Sequence, residues 1–295
     1  MNFSVKVPDN FDWRFYCYYY NDLRLAGINT ESRALDHYLR NGCKENRIVN
    51  YSTIKTLINS RQILGDIRGI KKSFYDVENQ FYYYLTNFGK IKKTDNLLEL
   101  GSGIGLLAQY LTSFIDTPGS YTGFDLNKNC IEWSQSNIKP PSKSNLKLNF
   151  NHICHKIPYP GHIPTIVFPY EDNTFDFVFS SSLILTLTPD ESKQYLHEIF
   201  RVLKKGGRCL LSYFLWNNYL DIPIGRSNTD IKRVNNCKDY KVIYNSLRET
   251  AIAYQEQQIH DWHVETKLPI AEIIYGNWSG TSDELTCADI ILCGK

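Results

Sequence analysis

Two carboxylates and three glycines stand in an order suited to holding a small polar ligand. Leu97 to Leu107 reads LLELGSGIGLL. Leu97, Leu98 and Leu100 around Glu99 suit the end of a buried parallel strand. Gly101, Gly103 and Gly105 permit a tight turn and a close approach of backbone to ligand. Leu106, Leu107, Tyr110 and Leu111 recur at helical spacing, so the glycines lie between strand and helix. Such a loop at the carboxyl end of a sheet cradles a nucleotide-like ligand. A second strand, Gly119 to Phe124, ends at Asp125, whose carboxylate can accept both hydroxyls of a ribose. A dinucleotide fingerprint asks for GxGxxG. Here the run is GxGxG, with Glu99 two positions before it. The competing reading is a glycine-rich turn of another α/β protein.

A second block follows in the order such a core requires. Phe168 to Leu187 reads FPYEDNTFDFVFSSSLILTL, and Arg201 to Gly207 reads RVLKKGG. Phe175, Phe177, Val178 and Phe179 suit a central strand. Thr188 and Pro189 can open a helix, and Leu196, Ile199, Phe200 and Leu203 give it an apolar face. Gly206 and Gly207 are expected to end it, with the next strand from Cys209 to Phe214. The two blocks resemble motif I with the acidic end of strand two, and the (L/F)P(F/Y)xDxxFD…RVLKPGG block, of class I S-adenosylmethionine-dependent methyltransferases. That resemblance implies an α/β, Rossmann-like fold. Its seven-stranded, mostly parallel sheet would have an antiparallel last strand, and a small helical module would precede it.

The resemblance also implies roles. S-adenosylmethionine is a sulfonium cation without a pyrophosphate, so an acidic, closely approached pocket suits it. Glu99 would hold its methionine end with the amides around Gly101, Gly103 and Gly105. Asp125 would bind the ribose, with a helix cap as its competing job, and Leu126 and Trp133 would border adenine. The family's acid after strand three is replaced by Pro164. Asp172 reads as a turn residue, and Asp176 as a tie between the turn and the following strand. Ser180, Ser181 and Ser182 end strand four where the methyl is transferred, and Ser181 is the candidate polar contact. The candidates for a general base are His152, His155, His162, His260 and His263. His155 and His152 stand first because HICH leaves strand three at the catalytic end. No third ligand joins that pair, so no metal is expected.

Composition narrows the partners. The chain has 295 residues, 42% hydrophobic and 22% charged, with a formal net charge of +2. That balance predicts neither a nucleic-acid surface nor binding to anionic membranes. No apolar run approaches a membrane span and the N-terminus has no signal pattern. The eight cysteines form no CxxC and are widely spread, which suggests a reducing compartment. A cytoplasmic location follows, in the host's cytoplasm if the protein is viral.

The organising elements read as three parts. Residues 1–50 form a small helical accessory module, with Gly27 as a stop, Thr30 at a helix start, and Ala34, Leu35, Tyr38 and Leu39 on one face. Asp12 to Arg47 resembles an aromatic module found beside glycosyltransferases and in surface-glycan proteins of bacteria and giant viruses. Residues 51–93 are expected to be a helical lid or linker, with Phe81, Tyr82, Tyr83 and Tyr84 near the site or covering the sheet. Residues 94–295 carry the methyltransferase core, with strands near 96–100, 120–125, 148–153, 175–180, 208–215, 270–275 and 287–293. Cys154 to Val167 and Trp216 to Asp239 are expected as long loops, the second a cover over the strand ends. These resemblances imply O-methylation of a sugar in a nucleotide sugar or a surface glycan, with glycosyltransferases as partners through residues 1–50. Methylation of another small metabolite, and a non-catalytic cofactor-binding scaffold, are the alternatives.

Overall fold

The computed structural model describes residues 7–13, 16–17, 23, 26–45, 47, 49, 74–140, 146–153, 165–216, 231–237, 239–245, 250–276, 278 and 288–295. The chain divides into two compact units, Met1–Tyr75 and Asp76–Lys295.

In the first unit, α1 (Glu31–His37) runs into a π turn, Tyr38–Gly42. Thr30 is at its N-cap in extended conformation, without a side-chain cap bond. The preceding turn is held instead by Arg33, whose guanidinium donates to the Gly27 carbonyl at 3.0 Å. Tyr16, Cys17, Leu23 and Ala34 form the core, with Phe11, Trp13, Ile28 and Tyr38 packed on it. Gly42 is where Tyr16 needs room: a Cβ there would lie 2.0 Å from the Tyr16 hydroxyl. That hydroxyl bonds His37 Nδ1 at 3.0 Å. These aromatics therefore build a small core, as their spacing allowed.

The second unit is built on a ten-stranded sheet. It opens with α2 (Phe74–Asn87), β1 (Asn96–Leu100), α3 (Leu106–Phe114), β2 (Ser120–Asp125), α4 (Lys128–Asn137) and β3 (Lys147–His152). There follow β4 (Phe175–Ser180), α5 (Pro189–Val202) and β5 (Leu203–Trp216). Next are β6 (Ile231–Asn236), β7 (Tyr240–Asn245), β8 (Thr250–Gln255), α6 (Glu256–Glu265), β9 (Ile270–Ile274) and β10 (Asp289–Gly294). Strands run β3-β2-β1-β4-β5 in parallel, and β10 lies antiparallel between β5 and β9. These seven strands match the expected Rossmann-like sheet.

Three strands exceed the expectation. β6, β7 and β8 form an antiparallel meander whose last strand pairs in parallel with Phe214–Trp216 at the end of β5. Part of the polar stretch expected as a loop from Trp216 to Asp239 is thus the strand β6. Residues 217–230 of that stretch, and 154–164 of the other expected long loop, lie outside the described residues.

A further difference concerns the end of α5, which stops at Val202 rather than at the two glycines. Its last carbonyls have partners elsewhere: Asn173 N donates to Arg201 O at 3.0 Å and Thr174 N to Val202 O at 2.8 Å. With those orphan groups satisfied, the chain turns directly into β5 at Leu203. The helix start is as expected, with the Thr188 amide and hydroxyl both donating to Glu191 at 2.8 Å.

Pairing fixes the faces. Glu99 is in register with Gly123 on β2 and Phe179 on β4, and Phe179 with Leu210 on β5. By alternation, Ser212, Phe214 and Trp216 follow on that same face. The opposite face, with Leu98, Leu100, Phe124, Val178, Leu211 and Ile291, packs under α5 and α6.

Candidate functional site

The glycine loop and the end of β2 are tied together through one carboxylate. Asp125 Oδ2 accepts the Gly103 amide at 2.8 Å, and Oδ1 accepts the Asn127 amide at 2.8 Å. The Gly101 and Ser102 amides both donate to the Phe124 carbonyl at 2.9 Å. The cap of α4 belongs to Asn127, whose side chain accepts from Asn129 N. Asp125 itself therefore links the glycine loop to the residue that caps α4.

The three glycines differ in what they face. A Cβ at Gly101 would meet Leu183 at 2.8 Å, and one at Gly105 would meet Phe150 and Ile138 at 3.2 Å. Gly103, at φ +53°, has nothing within 4 Å of that position. Two glycines thus serve packing, and the third presents bare backbone to open space beside the Asp125 carboxylate.

Glu99 is buried at 3% exposure, and a buried carboxylate needs partners. The Tyr121 hydroxyl donates to it. This contact depends on Gly123, where a Cβ would fall 2.6 Å from that hydroxyl and 2.8 Å from Ser102 Cβ. The sequence reading missed Tyr121 and Gly123. A lone glycine inside a strand pattern, marking close approach, was the signal for the second.

At the end of β4, the Ser212 hydroxyl donates to the Ser181 carbonyl at 2.6 Å and lies 3.1 Å from that of Ser180. Ser181 follows directly on the row that carries Glu99 and Phe179. Phe81 of α2 packs against Phe179 with ring centroids 6.2 Å apart, and Tyr84 is buried while Tyr83 is exposed. Asp176 accepts from Asn96 N at 2.9 Å and from Lys204 Nζ at 2.8 Å, tying β4 to its neighbours. Arg201 clamps the segment before β4, donating to Asp172 and Glu198 and to the carbonyls of Phe168 and Tyr170.

His152 is exposed at the end of β3, in register with Asp125, and its Nε2 lies 3.1 Å from the Leu126 carbonyl. Leu126 is partly buried against the α5 side of the core, and Trp133 is buried on α4. β3 is three strands from β4, roughly 14 Å at the usual spacing. The structure therefore brings together Glu99, the glycine loop, Asp125 and Leu126, with His152 at their outer edge and Ser181 on the other side. His155, His162 and Pro164 lie outside the described residues. His263 packs as a core histidine, with Nδ1 2.9 Å from the Leu268 carbonyl, and burial pushes its pKa down to about 4. Among the described residues no group of three or more potential ligands could hold a metal, and no helix is long and apolar enough to cross a membrane.

Comparison with known proteins agrees with this fold. The family model "Methyltransferase domain" matches residues 98–211. Phosphoethanolamine N-methyltransferase 2 of Caenorhabditis elegans is 28% identical over 131 residues, 44% of this chain and 26% of the relative. The match thus spans about a quarter of that relative's length. Among solved structures, the PH0226 protein from Pyrococcus horikoshii OT3 aligns with a TM-score of 0.51 and 17% identity. That alignment covers 78% of this chain and 93% of that one. The 1,6-didemethyltoxoflavin-N1-methyltransferase of Burkholderia thailandensis aligns at 0.47 and 12% identity, covering 83% and 85%. The open space at Gly103, beside the Asp125 carboxylate that its amide binds, fits S-adenosylmethionine as the cofactor of such a domain. Over residues 98–211 the chain carries a methyltransferase domain.

Proposed function

We propose that the protein transfers a methyl group from S-adenosylmethionine to a small-molecule acceptor, and that the acceptor atom is a sugar hydroxyl. The observation that carries methyl transfer is the Asp125–Gly103 bond beside open space at Gly103. Glu99 anchors the methionine end beside the glycine loop, and Asp125 takes the ribose hydroxyls. Leu126 borders adenine, and Ser181 contacts the acceptor at the end of β4. The bound cofactor supplies the methyl group on an electrophilic sulfonium. The chain's own task is to hold the acceptor oxygen in line, about 3–3.5 Å from that carbon, and to keep water out.

A hydroxyl nucleophile benefits from a base. His152 is committed through Nε2 to the Leu126 carbonyl on the adenine side, so in this reading it positions Leu126 and the base role falls to His155. The sugar assignment is supported by the balanced net charge and by the likeness of Asp12–Arg47 to a surface-glycan module. Residues 1–50 then act as an accessory module for a glycan or a glycosyltransferase. Residues 51–93 act as lid or linker, and 94–295 as the catalytic domain. A second reading, methylation of an amine on a phosphorylated amino alcohol, is favoured by the name of the Caenorhabditis elegans relative.

Labelled S-adenosylmethionine offered with nucleotide sugars, glycan extracts and phosphoethanolamine tests the assignment. Label in a sugar fraction supports it, with a loss of about 10²–10⁴-fold in His155→Asn and near-normal turnover in His152→Asn. Label in phosphoethanolamine selects the second reading. Cofactor binding without transfer to any acceptor favours a scaffold and overturns both.

A further inference from the structure

Two indoles in the extended part of the sheet are treated differently. Phe214, Trp216, Val234, Ile243, Ala253 and Trp278 form one cluster where the meander joins β5. Trp278 lies against Phe214 with ring centroids 5.0 Å apart. Its N–H donates to the buried carboxylate of Asp289 at 2.7 Å, which also accepts the amides of Leu215 and Gly276 at 2.7 Å. Trp278 is thereby fixed. The Trp216 N–H is equally shut off from solvent and has no hydrogen-bond partner among the described residues. Buried indole donors are ordinarily paired, so this one is available to an acceptor that the described residues do not supply.

A cation sits beside that donor. Lys241 Nζ lies 4.0 Å from the centroid of the Trp216 ring. Phe214 pairs with Ala253 and Ala253 with Lys241, so strand register places Lys241 on the face that carries Phe214 and Trp216. The same face carries Glu99 and Ser181, and Trp216 is the outward continuation of the row Leu210–Ser212–Phe214. Glu256, which follows Gln255 at the register position of Trp216, is engaged by the Tyr275 hydroxyl. An ammonium on an aromatic face has donors left for an anion.

We infer that Trp216 and Lys241 form the acceptor's anion site, which takes a phosphate group carried by the molecule to be methylated. This rests on the methyl-transfer reading and adds the class of acceptor: a phosphorylated small molecule, not a finished neutral glycan. Phosphate ester and diphosphate share the chemistry the site reads, an oxyanion for the ammonium and an acceptor oxygen for the indole N–H.

The full chain is titrated with inorganic phosphate and with inorganic pyrophosphate while the indole N–H resonances are followed by NMR, that of Trp216 being assigned by its loss in Trp216→Phe. The Trp216 resonance is expected to shift on saturation. Lys241→Met should weaken the anion at least tenfold, and Lys241→Arg should restore it to within about threefold. Stronger binding of phosphate points to a monoester acceptor, and of pyrophosphate to a nucleotide sugar. An unmoved Trp216 resonance, or equal affinity in Lys241→Met, overturns the inference. Calorimetry with S-adenosylmethionine on the same samples separates the two readings. Cofactor affinity unchanged in Lys241→Met with anion affinity lost supports the site. Absent cofactor binding in the parent removes the methyl-transfer reading instead.

Discussion

Asp125 and Gly103 are 22 residues apart in sequence and 2.8 Å apart through a carboxylate–amide hydrogen bond. The bond gives Asp125 two functions at one place. It fixes the turn of the glycine loop, and it holds the carboxylate beside the space that Gly103 leaves open. An aspartate that only capped α4 would serve neither purpose, and that cap is already supplied by Asn127.

Gly103 separates loop strain from ligand exclusion. At φ +53° any side chain costs roughly 1–2 kcal/mol, so Gly103→Ala and Gly103→Val should both lower stability by about that amount. Only the valine fills the open space well beyond its Cβ. Cofactor affinity should therefore fall about tenfold further in Gly103→Val than in Gly103→Ala. Equal affinities, measured by calorimetry on folded samples, contradict the placement of the ligand against this backbone.

Gly123→Ala tests the partner of Glu99. The added Cβ overlaps the Tyr121 hydroxyl and Ser102, so a loss of about 1–3 kcal/mol in stability is expected from overpacking. Tyr121→Phe removes the donor to Glu99 and should cost about 1–3 kcal/mol on its own. The double variant should cost clearly less than the sum, because the phenylalanine no longer brings an oxygen to the new methyl group. Additive losses in urea unfolding would show that the two positions do not share this contact.

His263 sets a pH dependence of stability. Burial lowers its pKa from 6.5 to about 4, so the folded state favours the neutral ring. The depressed value means that this contribution is fully present above pH 6.5 and is lost as pH falls toward 4, by about 3 kcal/mol in all. Asp289 acts in the opposite sense. Burial pushes its carboxyl up to about 7 against the pull of its three N–H donors, so its protonation favours the fold as pH falls from 7 toward 3.8. The stability difference between the parent and His263→Phe should accordingly shrink from pH 7 to pH 4. A difference that is constant across this range contradicts a neutral buried His263.

The parts of the fold carried by local pattern were legible in the sequence. The glycine loop between Glu99 and Leu106, the helix start at Thr188 and Pro189 and the closing pair β9–β10 each rest on residues near one another in the chain. The meander was not legible, because β6 reads IKRVNN, too polar for a recognisable strand, and is stabilised by pairing with β7. Tyr121 and Glu99 meet only through the register of β1 on β2, which no pattern within either strand specifies. The end of α5 was misplaced for a related reason. Its glycines looked like a stop, while the partners that end it, Asn173 and Thr174, come from the turn before β4.

The central claim is that the cradle between β1 and β2 holds S-adenosylmethionine through Asp125. Isothermal titration of S-adenosylmethionine into the full chain and into Asp125→Ala, with folding of both checked by circular dichroism, addresses it directly. Hydrogen bonds to a charged group contribute about 1.5–3 kcal/mol, so the variant should bind roughly one to two orders of magnitude more weakly while remaining folded. Saturable binding in the parent with that loss is the predicted result. Undiminished affinity in a folded Asp125→Ala, or no binding by the folded parent, contradicts it.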